Sequence, residues 1–130
     1  MPLADAFSEE NIRALVDRFY GKIRVDALLG PIFNGAIGES DADWRPHLDR
    51  LYDFWSSLLL KTGRYSGSPH RVHQALPPFD LQLFERWLGI FAETAREVYA
   101  EEAAAHVIGK SRMIAESLKF SLSVCARPNT

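Results

Sequence analysis

Four polar-tipped side chains stand out in the sequence, three of them on predicted apolar helix faces and the fourth on a short separate element. Tyr20, His47 and Trp87 lie on the apolar stripes of three predicted helices, and His73 lies between the second and the third of these helices. A neutral imidazole can donate a lone pair to a metal ion, whereas a phenol and an indole donate hydrogen bonds. The set could therefore hold a metal on one side and a polar ligand on the other.

The histidine at position 73 is confined by the proline pair that follows it. Residues 68–87 read SPHRVHQALPPFDLQLFERW, with prolines at positions 77 and 78. Proline lacks an N–H group and disfavours helical geometry in the residue before it. Any helical turn that carries His73 must therefore be short and must end at or before Leu76.

The spacing of apolar residues predicts an all-α fold. Ser8 is a suitable N-cap for a helix that ends near Asp26, and residues 28–35 form a compact apolar corner with turn residues at both ends. No segment shows the alternation that is typical of a strand. The other predicted helices run from about Asp41 to Leu60, from Phe79 to Glu101 and from Ala103 to Cys125.

The apolar residues of the predicted second helix indicate which face of that helix carries His47. Leu51, Phe54 and Leu58 follow it at helical spacing and within a narrow sector, so His47 is expected on the buried face. A single histidine on an apolar stripe is more often a hydrogen-bonded core residue than a ligand. Phe33, in the apolar corner, is as readily a core residue as a cofactor contact.

Composition narrows the possible classes of function. We expect a single domain over residues 1–130, with residues 1–7 and 126–130 frayed. The net charge of −2, without a basic stripe, argues against nucleic acid as a partner. Cys125 has no second cysteine to pair with, and no run of about 18 apolar residues predicts a membrane span. We expect a cytoplasmic monomer or weak homodimer.

One cofactor would account for all four polar residues together. Haem is flat and apolar, accepts an axial imidazole on one face and leaves a position open on the other. The aromatic content of 12% supplies the rings that would pack against it. Haem with one axial imidazole and a polar distal pocket would therefore fit this set of residues.

The sequence resembles the third group of the truncated haemoglobins, which are short globins with a two-over-two helical sandwich. The resemblance extends from about Ile12 to Leu122, and the paired glycines of the other two groups are absent. The matching segments are FYGKIRVDALLGPIFN (19–34), WRPHLDRLYDFWSSLLL (44–60), TGRYSGSPHRVHQALPPF (62–79) and FERWLGIF (84–91).

This resemblance assigns roles to individual residues. It implies haem b with His73 as the proximal iron ligand and Tyr20, His47 and Trp87 on the distal side. The positions that would contact the haem are Phe33, Leu51, Phe54, Phe84 and Ile114. The candidates for its propionates, which attract cations and hydrogen-bond donors, are Arg50, Arg64, Tyr65 and Arg71.

The expected activity follows from two hydrogen-bond donors that we expect to face a bound ligand, the Tyr20 hydroxyl and the Trp87 indole N–H. Two neutral hydrogen bonds, each contributing about 0.5–1.5 kcal/mol, would slow release of a bound diatomic gas by one to two orders of magnitude. We therefore expect a pentacoordinate haem that binds O2, NO or CO and supports nitric oxide detoxification or peroxidase-like chemistry rather than bulk oxygen transport. Because no flavin domain is present, such turnover would need an external electron donor.

Two other interpretations remain open at this stage. His47, His73 and His106 could bind a divalent metal ion in a helix bundle of hydrolase type. Alternatively, the chain could be a haem-based gas sensor or an interaction module whose aromatic face binds a partner helix or a lipid. The polar faces opposite every apolar stripe disfavour the last of these.

Overall fold

The computed structural model describes residues 3–67 and 80–126, with side chains as far as residue 122. Over these residues the chain forms five helices and no strand. None of the described helices combines the length and the hydrophobicity that a membrane crossing requires. The helices are α1 (Glu9–Val25), α2 (Leu29–Ile37), α3 (Asp41–Leu60), α4 (Leu83–Val98) and α5 (Glu101–Ala126).

The first helix begins where the sequence predicted. The Ser8 hydroxyl accepts a hydrogen bond from the Asn11 backbone, and the Asn11 side chain accepts one from the Ser8 backbone, so both form a reciprocal cap. The buried face of α1 carries Ile12, Leu15, Val16, Phe19, Tyr20 and Ile23. This helix therefore presents Tyr20 to the interior.

The predicted apolar corner at residues 28–35 is instead a helix, α2. The Asp26 carboxylate accepts hydrogen bonds from the backbone N–H groups of Leu28 and Leu29. Backbone N–H groups at the start of a helix have no partner within the helix. Pro31 lies in the first turn, where its missing N–H costs nothing. A Cβ on Gly30 would lie 2.8 Å from the Arg24 carbonyl oxygen, so a larger residue would force α1 and α2 apart.

The buried face of the third helix, α3, is not the face that we predicted. Trp44, Tyr52, Trp55 and Ser56 form its fully buried face. His47, Leu51 and Phe54, which we expected at the centre of that face, are half-buried. The reason is that the Trp55 side of α3 packs into the core, whereas the His47 side borders a cavity.

The long third predicted helix is shorter than expected. It begins at Leu83 rather than at about Phe79 and ends at Val98 rather than at Glu101. Tyr99 is extended, with φ −116° and ψ 148°, and this residue separates α4 from α5. The short-range bonds from Leu83 to Asp80 and from Phe84 to Leu81 form a turn before α4.

Residues near the N-terminus were expected to be frayed, but they are held at this break. The Ala4 backbone donates to Val98 and accepts from Ala100, at 3.0 and 2.9 Å. The ring of Phe7 packs against Tyr99, with their centroids 5.0 Å apart.

The helices form two pairs. α1 packs against α3 and α4 packs against α5, and the contact between α1 and α4 joins the two pairs. This is the predicted two-over-two arrangement. The core between the pairs is aromatic as well as aliphatic, with Phe19, Trp55 and Phe91 nearly completely buried.

Candidate functional site

An apolar cavity of about 170 Å³ lies between the helix pairs. Among the described residues, its wall is built from α1, α2, α3, α4 and α5 and from Tyr65 in the loop after α3. Most of the lining atoms are carbon. The polar side chains in the wall are Tyr20, His47, Arg50, Tyr65 and Trp87.

The structure brings most of the predicted site residues to this cavity. Those that line it are Tyr20, Phe33, His47, Arg50, Leu51, Phe54, Tyr65, Phe84, Trp87 and Ile114. His73 and Arg71 lie outside the described residues, so the roles predicted for them stay predictions. The predicted set is thus drawn together from five helices and one loop.

Tyr20 and Trp87 are joined directly. The phenol oxygen of Tyr20 accepts a hydrogen bond from the indole N–H of Trp87. Burial raises the pKa of the Tyr20 hydroxyl far above its usual value, so this group stays protonated. Because its oxygen is the acceptor, Tyr20 keeps its own proton as a donor. The indole N–H, which we expected to face a ligand, is bonded to Tyr20 in this structure, and its role toward a ligand stays a prediction.

Trp44 supports both Tyr20 and His47. It is completely buried, and its indole N–H donates to the Gly38 carbonyl at 2.9 Å, which fixes the ring against the end of α2. The His47 ring stands edge-on to the Trp44 ring with centroids 5.3 Å apart, and the Tyr20 ring lies 5.9 Å from Trp44. Trp44 thereby limits the directions in which both polar side chains can turn.

Trp87 belongs to an aromatic stack whose two tryptophans line the cavity and whose middle ring is Phe91. We use this name for Trp87, Phe91 and Trp55, whose rings lie nearly parallel. The centroids of Trp87 and Phe91 are 5.5 Å apart at 14°, and those of Phe91 and Trp55 are 5.2 Å apart at 22°. The stack fixes the Trp87 ring through its flat face, which leaves the indole edge directed at Tyr20.

The propionate candidates differ in their surroundings. The Arg64 guanidinium is held by Glu9, by Asp53 at 3.2 Å and by the Ser56 hydroxyl at 2.9 Å. This arginine therefore ties the loop after α3 to α1 and α3 and is not among the residues that line the cavity, and the role predicted for it stays a prediction. Arg50, in contrast, is exposed at the cavity and forms no ion pair with any residue that the structure describes.

Sequence reasoning missed part of the wall. The lining residues that it missed are Leu29, Ile32, Trp55, Leu83, Ala115 and Leu118. Helical register could have identified several of these, since Leu83 precedes Trp87 by one turn and Leu118 follows Ile114 by one turn. Leu29 and Ile32 were missed because their segment was not assigned to a helix.

The three-histidine metal site receives no support from the part of the chain that the structure describes. His106 is exposed, and its ring lies 5.7 Å from Phe7 rather than at the cavity that His47 lines. Within residues 3–67 and 80–122, no group of three His, Cys, Asp or Glu side chains is arranged to hold a metal ion. The described histidines thus do not converge.

Known proteins share this fold and this sequence. A group 3 truncated hemoglobin from Campylobacter jejuni is 42% identical over 118 residues, which cover 91% of this chain and 93% of the relative. The crystal structure of a group III truncated hemoglobin from the same organism superposes with a TM-score of 0.90 at 40% identity, over 93% of this chain and 95% of that chain. A scan against models of known protein families finds no match.

The two helix pairs and the aromatic cavity between them define a small globin of the two-over-two class. The identity to the relative from Campylobacter jejuni, over nearly the full length of both chains, makes the assignment specific. The chain belongs to the group 3 truncated haemoglobins.

Proposed function

We propose that the chain binds haem b in the cavity between the helix pairs, with His73 as the axial ligand, and takes diatomic gases or peroxide on the side of Tyr20. The observation that carries this proposal is a buried phenol at the wall of an aromatic cavity, with its oxygen already satisfied by Trp87. A buried hydroxyl that keeps a proton to donate suits a polar ligand inside an apolar site.

The lining fits the cofactor. A porphyrin is flat and apolar, and the cavity offers Phe33, Phe54 and Phe84 as packing surfaces from three different helices. The propionates of haem need a cation at the rim of the cavity. Arg50 is exposed there and forms no ion pair with any described residue. The relatives from Campylobacter jejuni are named hemoglobins, which supports the same cofactor here.

When bound, haem supplies an iron with one position open to O2, NO, CO or peroxide. The protein contributes the surroundings of that position. The rings of the wall exclude water, and Tyr20 donates a hydrogen bond from a hydroxyl that burial keeps protonated. His47, which lies 6.1 Å from the Tyr20 ring between centroids, is placed to supply a further polar contact.

A hydrogen-bond donor such as Tyr20 favours a reaction of the bound ligand over its release as a transported gas. Donation from Tyr20 stabilises a ligand that carries partial negative charge, and such a ligand leaves slowly. Slow release suits a protein that transforms its ligand, so we propose peroxide reduction or nitric oxide detoxification with an external electron donor. Bulk oxygen transport would need faster release.

Steady-state turnover tests this function. The haem-loaded chain is supplied with hydrogen peroxide or with O2 and NO, together with a reductant, and consumption is compared between wild type, Tyr20→Phe and Tyr99→Phe. We expect Tyr20→Phe alone to lower the turnover. Tyr99 is the matched control because it is a buried tyrosine whose hydroxyl donates to Asn11, away from the cavity. Equal turnover in all three proteins would contradict the proposal.

A further inference from the structure

Tyr52 lies one helical turn from the cavity wall and has an environment that no role in ligand binding explains. It is three residues before Trp55 on α3, and residues at this spacing are neighbours on a helix surface. Trp55 lines the cavity and ends the aromatic stack. Tyr52 itself is nearly buried, with 5% of its surface exposed.

The Tyr52 hydroxyl has a proton acceptor and a donor of its own. It donates to a carboxylate oxygen of Asp17 on α1, and it accepts a hydrogen bond from Arg45 at 2.8 Å. Burial raises the pKa of Tyr52, so the phenol is neutral and loses its proton only if a base takes it. Asp17 is that base and is exposed to solvent.

We propose that Tyr52 is the surface end of a one-electron relay that connects the cavity, through the aromatic stack, to a reductant in solution. Oxidation of a phenol releases an electron and a proton together. The electron passes from Tyr52 to Trp55, which lines the cavity, and Phe91 and Trp87 extend the path to the Tyr20 side of the wall. The proton passes to Asp17. The relay rests on the proposed function, which places the oxidant in that cavity.

The balance of the reaction is complete with peroxide as the oxidant. One hydrogen peroxide, two electrons and two protons give two water molecules, and each electron is delivered by one passage through Tyr52. The two protons are taken from solvent, and two molecules of the reductant release one proton each to solvent as they are oxidised. A one-electron reductant of the ascorbate class restores Tyr52 each time, and Asp17 returns the proton to the phenol oxygen. Arg13, whose guanidinium lies 4.8 Å from the Tyr52 ring, and Arg45 place two cations beside this phenol. The carboxylates of Asp17 and Asp49 balance their charge.

Tyr99 shows what a structural tyrosine looks like in the same protein. It is 1% exposed, and its hydroxyl donates to the Asn11 amide oxygen at 2.8 Å. A neutral amide oxygen accepts a hydrogen bond but does not accept the proton. Tyr99 is therefore the matched control for Tyr52.

The experiment locates the protein radical directly. The haem-loaded full chain is treated with hydrogen peroxide in the presence of a nitroso spin trap, and mass spectrometry identifies the modified residue. We expect an adduct on Tyr52 that is lost in Tyr52→Phe, falls in Asp17→Asn and persists in Tyr99→Phe. Asp17→Asn keeps an oxygen that can accept the hydrogen bond, so it removes the base with little change in packing.

Different results would contradict the relay alone and the relay together with the proposed function. Adducts confined to Tyr20 or Tyr65, both of which line the cavity, would overturn the relay and leave the proposed function intact. An unchanged Tyr52 adduct in Asp17→Asn would do the same. Failure of the chain to take up haem, seen in the visible spectrum before peroxide is added, would overturn the proposed function together with the relay.

Discussion

The indole N–H of Trp87 donates to the phenol oxygen of Tyr20, and both side chains lie in the wall of the cavity. In this arrangement the Tyr20 hydroxyl and the Trp87 N–H do not act side by side on a ligand. A hydroxyl whose oxygen accepts a hydrogen bond is polarised and donates its own proton more strongly. We infer that Tyr20 contacts the ligand and that Trp87 acts through Tyr20.

Replacing Tyr20 by phenylalanine should speed the release of oxygen. The substitution removes one hydrogen bond of about 1–1.5 kcal/mol, so the O2 dissociation rate should rise about tenfold. Stopped-flow measurement on the reduced, haem-loaded protein checks this value. Tyr99→Phe, which alters a tyrosine remote from the cavity, should release O2 at the wild-type rate.

Replacing Trp87 by phenylalanine should have a smaller effect on the same rate. Polarisation by a neighbouring hydrogen bond changes its strength by about 10–30%, which corresponds to an increase of about twofold or less. The measurement is the same stopped-flow experiment. If both substitutions raised the rate equally, Trp87 would be a direct donor to the ligand and the inference above would be wrong.

Arg50→Ala should weaken the binding of haem. Arg50 is the exposed cation among the described residues that line the cavity, and an exposed charge pair contributes about 0.2–1 kcal/mol. We therefore expect faster haem transfer to a high-affinity acceptor protein, followed in the Soret region. Arg112→Ala removes an exposed arginine of α5 that does not line the cavity, and it should transfer haem at the wild-type rate.

The stability of the protein should depend on pH through Asp26. The Arg86 guanidinium, together with the backbone N–H groups of Leu28 and Leu29, lowers the pKa of this carboxyl well below its ordinary value of 3.8. A lowered pKa in the folded state stabilises the fold above the pKa of the unfolded chain. This contribution is lost as the pH falls below about 4 toward the folded-state pKa.

Urea unfolding of Asp26→Asn at pH 7 and pH 3 measures this contribution. We expect the variant to be less stable than wild type by about 1 kcal/mol at pH 7, with a smaller difference at pH 3. Asp41→Asn is the control, because the Asp41 side chain is 98% exposed although it pairs with Arg24. A constant difference between Asp26→Asn and wild type at both pH values would contradict the account.

Helical periodicity predicted most of the fold because α1 and α3 have caps and amphipathic stripes that are local in sequence. The helix α2 was not predicted, since Gly30 and Pro31 suggest a turn when read alone. Its first turn depends on Asp26, whose orientation is fixed by Arg86, which is 60 residues away. Contacts at that separation are not visible in local patterns.

The residues of the site were predicted more completely than their hydrogen bonds. Residue types and the resemblance to group 3 truncated haemoglobins selected Tyr20, His47 and Trp87, and the structure places all three at one cavity. The direction of the Trp87 indole and the pairing of Arg64 with Glu9 depend on side-chain geometry across helices. The sequence therefore predicted which residues meet, but not which of them donates to which.

Titration of haem into the purified chain, followed by visible absorption, tests the central claim most directly. We predict a Soret band that saturates at one haem per chain, and a band that is weakened or shifted in His73→Ala, because that variant lacks the proposed axial imidazole. A chain that shows no saturable uptake of haem, or a His73→Ala spectrum identical to wild type, would contradict the account.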